Sequence, residues 1–347
     1  MWDDGDAAFP LDRRLPRVAQ AELLARMGAA AVVTADGETA LAHAVPVEPG
    51  DALVMATSGS SGEPKGVVLT HVAIAASAEA TSSRLGVASD DHWLACLPLS
   101  HVGGLSVITR ALHTRTRLTV HDGFDEDAVD RSNATLVSLV ATALARIDPS
   151  HFRVIVLGGS RPPADRPANT VTTYGMTETG SGVVYDRHPL DGVEVRAVAG
   201  ELQLRCPMLL RCYRDGTDPR TADGWFPTGD LGAVADGLVS VDGRKGDLII
   251  TGGENVWPEP VEAILRQHPL VADVAVGGTP DAEWGQLVTA YVVPVDGERP
   301  PSLEALRELV KERLAAFNAP RRVVVIGEVP RTTLNKVKRS QLASKSV

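Results

Sequence analysis

The sequence predicts an α/β protein, with a large N-terminal domain of β-sheets packed with helices and a small α+β domain behind it. Three observations predict this. Short apolar runs alternate with helical patterns through the first half of the chain. A glycine- and serine-rich loop follows the first buried strand. The last hundred or so residues carry their own complete set of strands and helices, within the usual size of a domain. A polar, glycine-containing stretch at 243–247 divides the two, giving residues 1–243 and 244–347.

Composition supports this plan and excludes several classes. At 347 residues, 44% hydrophobic and 22% charged, the chain exceeds one usual domain and buries a large core. A net charge of −10 argues against a nucleic-acid partner, which needs a basic patch. Cys96, Cys206 and Cys212 show no C-x-x-C spacing, so buried free thiols in a reducing compartment are expected. The acidic start, MWDDGDAAFP, lacks the plan of a signal peptide. Residues 134–145 form an apolar-rich stretch too short to span a bilayer. A cytoplasmic protein with no membrane span is expected.

In order, residues 19–27 read as a helix and 29–33 as a strand. Residues 52–56 form a buried strand that delivers TSGSSGEPKG, residues 57–66. That loop holds four hydroxyls, three glycines and one lysine, types that wrap a polyanion because backbone approaches closely where no Cβ intervenes. It is not a Walker A loop, since Lys65 follows Glu63-Pro64 and precedes Gly66. A flexible surface turn is the alternative. Residues 67–70 are a second strand, and Thr70 caps a helix running to about Arg84.

Residues 93–98 form an apolar strand ending in a polar turn, with His101 where a strand delivers a side chain to a cleft. The HVGG string has no G-x-S-x-G elbow to make it a hydrolase loop. Arg110 stands inside an apolar run, either snorkelling to water or clamping a carboxylate. Residues 134–145 are a helix or a buried strand. The strand 153–157 ends in Gly158-Gly159-Ser160, where open α/β sheets bind ligands.

In YGMTETGSG, residues 174–182, Tyr174 suits stacking on a planar base, Thr177 a phosphate contact, and Glu178 a hard divalent cation. A polar turn explains the string equally. Residues 200–205 and 238–242 alternate as strands. In WFPTGD, Asp230 follows Thr-Gly at a turn, suiting a ribose diol or an Asx cap. Beyond 247 come a strand (248–250), a turn at Gly252-Gly253, and a helix from Pro258 to about Gln267. Strands 273–276 and 287–294 follow, then a helix with Leu303, Leu306, Val310 and Leu314 on one face, and a last strand at 322–326.

Seven motifs occur in order: TSGSSGEPKG, LPLSHVGG, YGMTE, GELQLRCP, GWFPTGD, GRKGDLIITGGENVWPEPVE and PRTTLNKVKR. Together they resemble the signature motifs of the AMP-forming adenylating superfamily of acyl- and aryl-CoA ligases, peptide-synthetase adenylation domains and beetle luciferases. The resemblance implies an enzyme using ATP, Mg2+ and coenzyme A in two half-reactions. A carboxylate first attacks the α-phosphorus of ATP and releases pyrophosphate. A thiol then attacks the acyl carbon and AMP leaves.

Carried over by position, Thr57, Ser58, Gly59, Ser60, Ser61, Gly62 and Lys65 hold the β- and γ-phosphates, with Thr57 also near the metal. Tyr174, with Gly175, Met176 and the Gly158-Gly159-Ser160 turn, binds the nucleotide. Thr177 contacts the α-phosphate and Glu178 ligates magnesium. Asp230 and Arg244 take the ribose, Gly252 and Gly253 line the pantetheine path, and Lys336 is the adenylation lysine. The small domain is mobile in this family, swinging about a hinge that falls on Gly246.

Three departures stand out. Gly246 occupies a hinge position where aspartate or lysine is usual, and Asn335 replaces the glycine before the lysine. Only 56 residues precede the loop, so part of the family's N-terminal sheet is expected to be missing, with a homodimer covering the exposed core.

LPLSHVGGLSVITR and GSGVVYDRHPLDGVEVR resemble the short actinobacterial o-succinylbenzoate–CoA ligases of menaquinone biosynthesis. There Arg110 takes the second carboxylate of the small-molecule acid, and His101 lies near the acyl group. The alternatives are a ligase for another aryl or short acyl acid, a stand-alone adenylation enzyme loading a carrier protein, and a non-catalytic nucleotide- or acyl-binding module.

Overall fold

The apolar runs of the first half form parallel strands because both of their faces are covered by other elements. A computed structural model describes residues 2, 5–58, 64–159, 162–331 and 337–342, without the Ser58 side chain. The chain divides into two compact units: Met1–Val198, Leu202–Thr228 and Ala233–Ser240 in one, and Ala199–Glu201, Gly229–Gly232 and Val241–Val347 in the other.

The first unit is built on a seven-stranded sheet. Arg117–Val120, His92–Ala95, Leu136–Leu139, Val154–Leu157 and Thr170–Met176 run parallel in that spatial order. Ser181–Tyr185 and His188–Pro189 then extend it antiparallel. Leu94, Val137, Leu139, Ile155 and Leu157 pack with Val129, Ala143 and Phe152. Each such Val, Leu, Ile or Phe side chain is worth about 1.5–3 kcal/mol on burial.

Helix His71–Leu85 is opened by Thr70, whose hydroxyl accepts from the Ala73 N–H at 3.1 Å, and closed by left-handed Gly86. Its small residues Ala73, Ser77, Ala78 and Thr81 are buried. Helix Val102–Thr114 starts close above the Leu97–Pro98 turn, where Gly104 is obligatory: a Cβ there would lie 2.5 Å from the Leu97 and Pro98 carbonyl oxygens.

A separate three-stranded sheet orders Cys212–Tyr213, Pro64–Thr70 and Asp51–Ser58. The last two pair antiparallel, with Thr57 opposite Lys65 and Ser58 opposite Pro64. A four-stranded sheet orders Glu194–Val198, Glu201–Arg205, Phe226–Ala235 and Leu238–Arg244.

In the second unit, Val271–Asp281 and Gly285–Pro294 form a long antiparallel pair, and Arg322–Val325 joins parallel to the latter. Helices Pro258–Leu265 and Leu303–Lys311 bury Val261, Leu265, Leu306 and Val310 on one face. Tyr291, Ile326, Val329 and Leu342 fill the other. A buried carboxylate, Glu262, accepts from Arg339 at 2.8 Å and from the Val276 N–H at 2.8 Å.

Four expectations change. Residues 134–145 are a strand, Leu136–Leu139, followed by a four-residue helix, Ala141–Leu144, so both readings apply in part. The strand before His101 stops at Ala95, and His101 instead opens a helix. Asp230 lies inside the strand Phe226–Ala235 rather than at a turn; left-handed Gly229 (φ +72°) supplies the local kink that looked like one. The helix at 303 ends at Lys311, before Leu314, which still packs on the same core.

Burial disfavours charge on the cysteine thiols, pushing Cys96 up to about 12 and Cys206 to about 11. No helix among the described residues is long and apolar enough to cross a membrane.

Asp91 ties the sheet together. Its carboxylate accepts from Arg153 Nε at 3.0 Å, Thr135 Oγ1 at 2.7 Å and the Ala88 N–H at 2.9 Å. Burial opposes its charge, yet these donors outweigh that and hold its pKa below the ordinary range. A depressed pKa adds stability above the unfolded value, which is lost as pH falls through the folded one. Asp91→Asn is expected to cost about 1–3 kcal/mol at pH 7. Urea unfolding at pH 7 and pH 3 checks this: the gap between wild type and variant should shrink below about pH 4.

Candidate nucleotide and acyl site

Three sequence motifs meet in the first unit. Residues 174–180 leave the strand Thr170–Met176 and turn through a single 3-10 turn, Thr177–Thr179, closed by left-handed Gly180. Thr179, fully buried, locks this turn: its hydroxyl donates to the Ser181 carbonyl at 2.7 Å and accepts from the Met176 N–H at 3.1 Å. Glu178 is thereby fixed beside the strand Cys212–Tyr213. Its carbonyl accepts from the Leu210 N–H at 2.7 Å, and its carboxylate Oε1 accepts from the Tyr213 hydroxyl at 3.0 Å.

The same Tyr213 ring lies under the Lys65 ammonium, 4.8 Å from its centroid. Tyr213 pairs with Val67 on the strand leaving the serine-rich loop. Thr57, Lys65, Thr177 and Glu178 thus lie on elements bound to one another by backbone pairing. Ser58, through its side chain, and Gly59, Ser60, Ser61, Gly62 and Ser160 lie outside the described residues.

Tyr174 is half-buried and sits opposite Val184. Gly175 is required by packing: a Cβ would overlap the Ser181 carbonyl and approach Gly182 Cα to 2.5 Å. Met176 is buried. Gly158 and left-handed Gly159 end the central strand Val154–Leu157, and a Cβ on Gly158 would meet the Thr173 methyl at 3.0 Å. Next to the Thr177–Gly180 turn is a small cleft lined by Leu53, Leu69, Leu105, Ser106, Thr109 and Gly180.

Arg110 does not snorkel. It is 2% exposed. The guanidinium donates to Ser138 Oγ at 3.3 Å, to the Tyr185 hydroxyl at 3.4 Å and to Ser181 Oγ, and lies 5.5 Å from the Trp93 ring centroid. Its Nε has no partner among the described residues, and no described carboxylate pairs with it. A buried full charge capped only by hydroxyls and a ring is costly until an anion reaches it. His101 is the N-cap of the helix Val102–Thr114, and Arg110 lies within that helix.

In the second unit, Asp230 is 5% exposed and pairs with Arg244 Nε at 2.8 Å. Gly252 and Gly253 (φ +58° and +84°) make the turn between Ile249–Thr251 and Glu254–Val256, with the Trp284 ring packed over Gly252. Gly246 lies in the 3-10 turn Lys245–Asp247, where a Cβ would meet nothing within 4 Å. Asn335 and Lys336 lie outside the described residues. On either side of them, Arg331 pairs antiparallel with Val337 and donates to both oxygens of Asp273 at 2.8 and 2.9 Å.

The AMP-binding enzyme family matches residues 7–208, and the AMP-binding enzyme C-terminal domain matches residues 260–336. The chain belongs to the AMP-binding enzyme family. This AMP-binding enzyme is 41% identical over 323 residues to a probable 2-succinylbenzoate–CoA ligase of Mycobacterium tuberculosis, covering 84% of this chain and 83% of that one. It is 34% identical over 336 residues to the 2-succinylbenzoate–CoA ligase of Bacillus cytotoxicus, covering 83% and 69%. Among solved structures, the o-succinylbenzoate CoA synthetase of Bacillus subtilis in complex with the acyl-adenylate intermediate matches with a TM-score of 0.77 and 32% identity, covering 88% of this chain and 72% of that one.

The donor set in this AMP-binding enzyme suits a hard cation shared with phosphates. Glu178 and the Thr57 hydroxyl offer oxygen, while no cluster of three or more His, Cys, Asp or Glu exists among the described residues to cage a metal alone. Sequence reasoning missed Tyr213, Thr179, Ser138, Ser181 and Tyr185. Thr179 and Ser181 lie within YGMTETGSG, and Tyr185 within the string after it, but their roles carried no signal.

Two glycines separate packing from conformational roles. Gly175→Ala is expected to cost about 1–3 kcal/mol through overlap across the paired strands. Gly246→Ala should stay within about 0.5 kcal/mol of wild type. Thermal unfolding of both variants provides the comparison.

Proposed function

We propose that this enzyme joins o-succinylbenzoate to coenzyme A through an acyl-adenylate, using ATP, in the cytoplasm. The observation that carries the substrate choice is Arg110, a buried cation with no carboxylate partner among the described residues. An acid with two carboxylates meets that need with one group and reacts through the other. The similarity to named 2-succinylbenzoate–CoA ligases supports the same reading.

In the first half-reaction a carboxylate oxygen of the acid attacks the α-phosphorus of ATP; the bond to the bridging oxygen breaks and pyrophosphate leaves. In the second, the CoA thiol loses its proton and attacks the acyl carbon, and AMP departs with the C–O electron pair. Lys65 and the loop at 57–65 hold and neutralise the departing phosphates, Thr177 orients the α-phosphate, and Tyr174 flanks the base. Magnesium, when bound at Glu178, supplies further charge neutralisation. Asp230 accepts the ribose hydroxyls, with Arg244 holding its carboxylate. Lys336 brings positive charge to the attacking carboxylate and α-phosphate. The domain boundary falls after Gly243, with Gly246 as the hinge between half-reactions.

Pyrophosphate release with Mg-ATP and o-succinylbenzoate should require the acid and rise when CoA is added. Turnover confined to other carboxylates would remove this substrate.

Arg110→Met should raise KM for the dicarboxylate about 10- to 100-fold, with little change for benzoate. Thermal stability should hold or rise, because an uncompensated buried charge is gone. Parallel KM changes for both acids would reject the clamp. Lys336→Ala should abolish pyrophosphate release yet leave thioester formation from supplied acyl-adenylate; equal loss of both would reject its assignment.

A further inference from the structure

The Tyr213 side chain makes two contacts with groups of opposite charge. Its hydroxyl donates to Glu178 Oε1 at 3.0 Å, and its ring face carries the Lys65 ammonium 4.8 Å from the centroid. Among the described residues, Tyr213 is the sole hydrogen-bond partner of the Glu178 carboxylate. Tyrosine suits both tasks, since a phenol donates one strong hydrogen bond at its tip while its ring face attracts a cation.

The placement of this ring matters because lysine and glutamate brought close together collapse into an ion pair. Such a pair would occupy the ammonium needed for phosphate and the oxygens needed for a cation. No Lys65–Glu178 ion pair forms among the described residues. Each instead contacts Tyr213, the ammonium at the ring face and Oε1 at the hydroxyl, and no bond to Oε2 forms among the described residues.

The backbone fixes the spacer itself. Tyr213 and Cys212 pair with Val67 and Val68, the Arg214 N–H donates to the Gly66 carbonyl at 2.6 Å, and the Arg211 N–H donates to the Val68 carbonyl at 2.9 Å. One residue earlier, the Leu210 N–H holds the Glu178 carbonyl at 2.7 Å. Residues 210–214 therefore connect the lysine-bearing strand and the glutamate-bearing turn at fixed separation.

We propose that Tyr213 is a positioning residue that orients Glu178 for magnesium and keeps Lys65 free for the nucleotide phosphates. The inference rests on the nucleotide and magnesium reading of this site given above. Hydrogen-bond partners of metal ligands of this kind are worth about 10- to 100-fold in metal affinity.

The test is calorimetric binding of ATP to the whole protein across a magnesium titration, with ATP in EDTA as reference. Tyr213→Phe keeps the ring and strand pairing. It should raise the magnesium concentration needed for tight ATP binding about tenfold and leave binding in EDTA unchanged. Tyr213→Leu should also weaken binding in EDTA, because Lys65 can then pair with Glu178. In a Glu178→Gln background, Tyr213→Phe should add nothing, as expected for one coupled pair. A Tyr213→Phe protein with wild-type magnesium dependence, or an additive effect in the Glu178→Gln background, overturns the inference and leaves the enzyme's function standing. Absence of Mg-ATP binding by the wild type overturns the functional reading and this inference together.

Discussion

Two arginines flanking a two-residue strand hold the loop-bearing hairpin where it is. Arg211 forks onto Asp51 with nitrogen–oxygen distances of 2.8 and 2.9 Å, and the Asp51 side chain has no exposure at all. A carboxylate so deeply buried is stable only with that partner. Three residues on, Arg214 donates to the carbonyls of Met27 and Pro46 at 2.8 and 3.0 Å and to that of Val45. Gly66 permits the approach, since a Cβ there would sit 2.7 Å from the Arg214 Cβ. The hairpin and the end of the helix Arg17–Met27 are both tied to this one segment.

A different economy operates around Arg110. The hairpin arginines are matched by carboxylates or carbonyls, whereas Arg110 is surrounded by neutral hydroxyls and a ring. Hydroxyl dipoles lower the cost of burying a charge without cancelling it. The enzyme therefore keeps a cation whose field is still available to a ligand, supported by Ser138 from one strand and by Ser181 and Tyr185 from another.

Much of this was legible in the sequence because hydrophobic period and cap chemistry are local. Thr70 capping its helix, the strand at 154–157 and the buried stripe of Leu306 and Val310 follow from residues close in the chain. The misreadings arose where the backbone changes state within a few residues: the strand at 136–139 that becomes a helix, and the kink at Gly229 that resembles a turn from its composition. Arg110 was visible as an anomaly, but its hydroxyl partners lie 28 to 75 residues away, beyond the reach of any local pattern. Tyr213 carried no signal, because its value lies in two long-range contacts that turn-rich neighbours do not announce.

The buried cysteines have a consequence for an enzyme that makes a reactive acyl group. An acyl-adenylate is an electrophile that any thiolate can capture. With Cys96 pushed up to about 12 and Cys206 to about 11, only about one thiol in several thousand or fewer is ionised near neutral pH. Burial thus disfavours capture of the acyl group by Cys96 and Cys206, and it pushes the Cys212 thiol in the same direction.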